Sequence, residues 1–241
     1  MLKENPAGYV SPAQREVLIG LCEEPRIENG FFLTGGTALA VFYLGHRVSE
    51  DLDLFTTGKA ETADIAGIAF WIARRWPGRS SAGRRSPTYA AVDVLGVKVD
   101  LVSDPLSEEG ERPRHRFENG ATLAVDTISN IASNKLATLV SRVEAKDFVD
   151  FYFLSKAFPE IGWDEILAAA KRKEALFDDP PSAAFQVEEG IRMAISAGAS
   201  AGGKRGSHGA GGFVPGLLRP LDEGDFSRFY RDLIARLYRL E

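Results

Sequence analysis

The sequence predicts an α+β fold: a mixed β-sheet with flanking helices in roughly the first half, then a helical C-terminal half. Three observations carry that reading. Up to about residue 125, short apolar runs that alternate with a period of two, at 52–55, 89–94 and 97–102, are interleaved with helical stretches. Beyond Asp126 the apolar residues recur at the three- and four-residue spacing of helices. The 241 residues suffice for one large domain or two small ones, and the change of period divides them into 1–125 and 126–241.

The elements follow in order. Ser11 caps a helix that starts at Pro12 and runs to about residue 24, with Val17, Leu18, Leu21 and Cys22 on its apolar side. A strand at 31–33 runs into Gly35-Gly36-Thr37, a short helix passes through Leu39, Phe42 and Tyr43, and the chain returns as the strand that bears Asp51 and Asp53. Ile65, Ile68, Ala69 and Ile72 make 60–76 a helix. Residues 88–103 form a hairpin that turns near Gly96, with Val97, Val99 and Leu101 on one face and Lys98 and Asp100 on the other. On the helix from Ile128 to Val143, Lys135 sits at the edge of the apolar stripe and Arg142 lies two turns on, so both cations can reach one ligand. The next helix sets Asp147 and Asp150 beside Phe148, Phe151 and Tyr152. A helix at 163–177 ends at Asp178-Asp179-Pro180-Pro181, and 222–240 closes the chain as an amphipathic helix. Between them, 197–212 holds seven glycines and reads as a mobile loop.

Chemistry concentrates in two places. An apolar run that ends in Gly35-Gly36-Thr37 and opens a helix turns backbone N–H groups toward an anion. Fifteen positions after Gly36, Asp51 and Asp53 share one face of a strand while Leu52 and Leu54 enter the core. Two adjacent carboxylates repel unless a cation holds them. Mg²⁺ suits them because it takes one or two protein carboxylates and completes its shell with phosphate oxygens. Asp100 supplies a third acid if its strand neighbours that of Asp53, and the three acids would then hold two metal ions; alternation alone leaves Asp93 as a rival for that place. A lone Gly-Gly-Thr is commonly a turn and a lone Asp-x-Asp a solvated face. Their order and spacing make them one site.

Composition narrows the alternatives. No apolar stretch approaches the roughly 20 residues of a membrane span, and 1–6 lack a signal-peptide apolar region, so a cytoplasmic protein is expected. The single cysteine, Cys22, excludes an internal disulfide and a cysteine-rich zinc site. A net charge of −5 argues against a general nucleic-acid binder, but two local basic groups can meet an RNA backbone: Arg74, Arg75, Arg79, Arg84 and Arg85, and Arg112, Arg114, His115 and Arg116.

The ordered set Thr34–Ala40, His46–Phe55, Val97–Leu101, and Asn134–Arg142 with Lys146–Tyr152 resembles the AbiEii/MenT nucleotidyltransferase toxins of the polymerase-β-like superfamily. The resemblance covers residues 31–154 and leaves the final third without a family motif. It implies a nucleotidyltransferase fold, dependence on Mg²⁺ or Mn²⁺, transfer of a nucleotide from an NTP to the 3′ end of tRNA, and a separate antitoxin. It further implies that Gly35, Gly36 and Thr37 bind the triphosphate, with Arg47, Lys135 and Arg142 on its phosphates. Asp51, Asp53 and Asp100 would hold metal, Asp100 would activate the attacking hydroxyl, and Asp147 would be the last essential carboxylate. Acceptor choice lives in loops and the helical half, so a small molecule such as an aminoglycoside, or a protein hydroxyl, is the competing acceptor. A non-catalytic nucleotide-binding module is the third reading, and the intact acids weigh against it.

Overall fold

The computed structural model describes residues 2–58, 63–107, 110–201, 214 and 216–239, with side chains left aside for 193–201. The chain forms two compact units, Met1–Thr127 and Ile128–Glu241. Among the described residues no helix is long and apolar enough to cross a membrane.

The first unit is built on a seven-stranded mixed sheet. Helices α1 (Pro12–Cys22) and α2 (Pro25–Gly30) precede strand β1 (Phe32–Thr34). Ser11 accepts a hydrogen bond from the Gln14 N–H and caps α1, and Pro12 takes the first helical position, where no N–H is needed. Helix α3 (Gly35–Ala38) continues as a π-helical turn, Leu39–Tyr43, whose apolar residues are buried. Strand β2 (Leu52–Thr56) buries Leu52 and Leu54 and leaves Asp53 and Phe55 on the other face. Helix α4 (Ile65–Arg75) is capped by Asp64, and the start of the helix expected from residue 60 lies outside the described residues.

Four strands follow α4 before β7: β3 (Ser80–Ser86), β4 (Tyr89–Val94), β5 (Val97–Ser103) and β6 (Arg114–Arg116), and then β7 (Thr122–Val125). The sheet order is β3-β4-β5-β2-β1-β7-β6. Strand β2 runs parallel to β5 and antiparallel to β1, and β1 is parallel to β7. The β4–β5 hairpin turns through Leu95 and Gly96, at φ of 58° and 79°, the pair of left-handed residues a two-residue loop requires. Strands β3, β6 and β7 were not expected. β3 carries Ser, Gly and Arg with an exposed pattern, so it lacks the alternation that marks a half-buried strand. β6 and β7 are too short to show a period.

The second unit is helical: α5 (Ile128–Ser141), α6 (Ala145–Ala157), α7 (Trp163–Lys173), a 3₁₀ turn Ala175–Asp178, α8 (Pro180–Ala201) and α9 (Glu223–Leu237). Its core is aromatic, with Phe148, Phe151, Phe226 and Tyr230 fully buried, and the Tyr230 hydroxyl donates to the Phe148 carbonyl at 2.6 Å. Two sequence expectations fail here. Pro180 and Pro181 open a helix instead of closing one, with Asp179 bonded to Ser182 at its start. That helix reaches Ala201, so the first five residues of the 197–212 loop are helical; their alanines favour a helix, and 202–212 lie outside the described residues.

Candidate functional site

Strand pairing gathers the acids of the first unit. Asp53 on β2 is the register partner of Asp100 on β5, so the two carboxylates project from neighbouring strands on one face. Thr34, the last residue of β1, is the partner of Asp53 on the other side, which sets the Gly35-Gly36 turn beside the acids. Gly35 has φ of +68°, and a Cβ there would stand 2.3 Å from the Asp53 Oδ2. A Cβ on Gly36 would stand 2.5 Å from Arg47 Nη2 and 2.8 Å from Ser49 Oγ. The turn is therefore in contact with a carboxylate on one side and a guanidinium on the other; the left-handed φ at Gly35 favours glycine there, and a Cβ at Gly36 would push the ends of the Arg47 and Ser49 side chains aside. No side chain caps the helix that begins at Gly35.

Thr37 differs from expectation. Its side chain is fully buried and its hydroxyl donates to the Asp51 carbonyl, so it locks the turn to the residue before β2 and its oxygen is not turned toward a ligand. Asp51 precedes β2, outside the ladder that aligns Asp53 and Asp100. Among the described residues no three Asp, Glu, His or Cys side chains stand together as a preformed metal cage, and the register aligns Asp53 with Asp100 directly. Asp93 is excluded as the third acid: its carboxylate accepts the Gly96 N–H at 3.1 Å and serves the hairpin turn.

A residue without an assigned role occupies the centre. The Lys98 ammonium bonds Asp100 Oδ2 at 2.7 Å, and the Tyr89 hydroxyl donates to Asp100 Oδ1 at 2.9 Å. Burial alone would depress the lysine pKa, but the Asp100 hydrogen bond and the charges of Asp100, Asp51 and Asp53 raise it above its ordinary value. The Tyr89 pKa is raised by burial and by Asp100. Alternation had placed Lys98 on the Asp100 face; only the β4–β5 register brings Tyr89 to it. The three acids thus share an electrostatic field that already draws one cation. All-oxygen donors, room above Asp53 kept open by Gly35, and that field fit a hard divalent ion such as Mg²⁺.

The second unit holds the other candidates together. Lys135, buried on α5, bonds Asp147 Oδ1 at 2.7 Å and Asp150 Oδ2 at 2.6 Å. Arg142 bonds both oxygens of the same Asp147, at 2.8 and 3.0 Å. The common ligand of the two cations in this structure is an internal carboxylate. Asp150, fully buried, is a member of this network that the candidate set omitted, although its spacing from Asp147 was visible. Burial pushes the Asp147 pKa up, and Lys135 and Arg142 more than offset it, holding the carboxyl below its ordinary range.

Of the two basic groups, the second is largely committed within the fold: Arg112 pairs with Asp126 at 3.2 Å, Arg114 donates to the Glu28 carbonyl and Thr122, and His115 lies against Phe42 and Phe117. Cys22 is buried, its thiol pushed up to about 12 by burial, and is inert filler.

A family model described as the nucleotidyl transferase AbiEii toxin of type IV toxin–antitoxin systems matches residues 20–232. An uncharacterised protein of Aquifex aeolicus (strain VF5) is 30% identical over 170 residues, covering 66% of this chain and 71% of that protein. Two solved structures share the fold. MenT4, a nucleotidyltransferase toxin of Mycobacterium tuberculosis H37Rv, superposes with a TM-score of 0.53 at 18% identity over 95% of this chain and 82% of its own. A protein of H. pylori assigned as a nucleotidyltransferase superposes with a TM-score of 0.50 at 17% identity over 96% of this chain and 99% of its own.

Proposed function

The chain belongs to the AbiEii nucleotidyltransferase toxin family of type IV toxin–antitoxin systems, and on that premise we propose that this nucleotidyltransferase moves a nucleotide from an NTP to an RNA hydroxyl, the 3′ end of tRNA. The observation that carries the reading is the Asp53–Asp100 register pair set against the Gly35-Gly36 turn. It supplies, side by side, a place for a triphosphate and carboxylates for the reacting atoms. Membership of a type IV system implies an antitoxin partner.

In the proposed reaction an acceptor hydroxyl attacks the α-phosphorus, a new P–O bond forms, the bond to the β-phosphate oxygen breaks, and pyrophosphate leaves. The hydroxyl proton passes to Asp100, whose carboxylate Tyr89 and Lys98 hold in place. The Gly35-Gly36 backbone receives phosphate oxygens at the start of α3, and Arg47, against Gly36, adds positive charge there. Asp51, Asp53 and Asp100 would hold Mg²⁺, which when bound neutralises charge on the triphosphate. Lys135 and Arg142 are the family resemblance's phosphate-contacting cations, and Asp147 fixes the direction of both side chains while Asp150 adds a second hold on Lys135.

The test is incubation of the purified chain with each labelled NTP in turn, total RNA and Mg²⁺, beside the same mixture with EDTA and beside Asp53→Ala. Label in tRNA with the wild type and in neither control is the expected result. Label in a small molecule or a protein, with none in RNA, would overturn the acceptor and keep the chemistry. No transfer to any acceptor would remove the reading.

A further inference from the structure

The arginines at 74–85 rim one edge of the first unit in company with aromatic rings. On the outer side of α4, Phe70 is 62% exposed, although the helix already buries Ile65, Ile68, Ala69 and Ile72 against the sheet. Arg26, Gly67, Phe70, Trp71, Arg74 and Arg75 line an open groove of about 570 Å³. The Arg74 guanidinium lies over the Phe70 ring, 5.9 Å from its centroid, and Trp71 meets Trp76 edge-on at 6.0 Å. The exposed Phe70 ring and the Arg74 guanidinium over it form one aromatic and cationic patch on the outer side of α4.

The helix leads directly to β3, the edge strand, exposed from Ser81 to Ser86. Arg26 and Arg75 are paired with carboxylates, but Arg74, Arg79, Arg84 and Arg85 are exposed and make no ion pair with a described residue. Residues 65–92 contain five arginines and no acid in a chain of net charge −5. Sheet register ties this edge to the acids. Ala82 pairs with Val92 and Arg85 with Ala90, so Gly83 and Arg84 share Ala91, which pairs with Asp100, which in turn pairs with Asp53. Arg84 therefore stands two strands from Asp100 along one row, about 10 Å at the usual strand spacing.

We propose that the α4 groove and the β3 arginines form a docking surface for single-stranded RNA. Bases stack on Phe70 and Trp71, phosphates meet Arg74, Arg79, Arg84 and Arg85, and the strand is led along the register row toward the carboxylates. Charge complementarity selects a polyanion, and rings open beside a guanidinium select one that carries planar bases. The surface rests on the RNA acceptor proposed above and names where that acceptor is held.

The experiment is fluorescence anisotropy of a labelled single-stranded RNA of about ten nucleotides with the full chain across a salt series. Phe70→Ala, the triple variant Arg79→Ala, Arg84→Ala and Arg85→Ala, and Arg228→Ala as an exposed control are compared, with thermal melting to verify folding. Phe70→Ala is expected to weaken binding about tenfold. The triple variant is expected to flatten the slope of log affinity against log salt by about 2. Triphosphate binding and the control stay unchanged. Equal affinity and slope for wild type and both variants overturn the surface, as does polyglutamate displacing the RNA as well as unlabelled RNA does. Transfer assays at limiting RNA separate the two proposals. RNA binding that the variants lose, with no transfer to RNA by the wild type, sinks the acceptor and leaves the surface; transfer that the variants retain in full does the reverse.

Discussion

Gly35 bears most directly on how the site is held. At φ of +68° an alanine is strained, and its Cβ would stand 2.3 Å from the Asp53 carboxylate. Gly35→Ala is expected to displace Asp53 by a fraction of an ångström to an ångström and lower transfer on the order of 100-fold, with an unchanged circular dichroism spectrum. Activity within a few-fold of wild type would show that the turn does not set the carboxylate. Lys98 is a different case, because it bonds Asp100, the carboxylate proposed above as a ligand of Mg²⁺. Lys98→Met is expected to lower the Mg²⁺ concentration for half-maximal transfer and to reduce kcat about tenfold, since Asp100 keeps only the Tyr89 hydroxyl. An Mg²⁺ titration superposable on wild type would assign Lys98 to the surface alone.

At the scale of elements, α5 and α6 are joined by charge inside an apolar unit. Asp147 is fully buried, with Lys135 and Arg142 on its oxygens. Asp147→Asn leaves those cations short of a counter-charge and is expected to cost about 3 kcal/mol in urea unfolding. The pH sign follows from the depressed carboxyl: its contribution is complete above the unfolded value of about 4 and is lost as pH falls from there through the lower folded value. Wild type should lose stability on that acid limb more steeply than Asp147→Asn, and parallel limbs would refute the coupling. Helix α8 offers a packing test. A Cβ on Gly190 would meet Phe148 Cζ at 2.2 Å and Val143 Cγ1 at 2.6 Å, and Phe148 is fully buried and cannot yield. Gly190→Ala is expected to destabilise by about 1–2 kcal/mol, the overpacking exceeding the helix-propensity gain. The sequence did not announce α8, because its prolines look like a stop and its alanines and glycines look like a loop. Likewise β3 hid because an edge strand with serine, glycine and arginine buries nothing that would give it a period.

For the whole molecule, what was legible depended on whether a local pattern or a long-range register decided it. The alternation around Asp53 and Asp100 was visible because one face of each strand enters the core. Alternation alone left Asp93 beside Asp100, because separating them required knowing that Asp93 turns back to its own hairpin; the family resemblance is what singled out Asp100. The same distinction governs charge. A chain at −5 repels RNA as a whole, yet residues 65–92 present five positive charges and no negative ones. Which of these RNA senses is set by the screening length, about 10 Å at 0.1 M salt and about 30 Å at 0.01 M. Near physiological salt the arginine edge acts alone and affinity rises as salt is lowered. At low salt the excess acidity of the remainder comes within range and opposes it. A plot of log affinity for single-stranded RNA against log salt is therefore expected to bend and flatten below roughly 0.02 M, whereas a protein of uniformly positive charge would continue along a straight line. A line that stays straight to about 0.01 M would mean that the acids of the remainder lie too far from the bound strand to act on it.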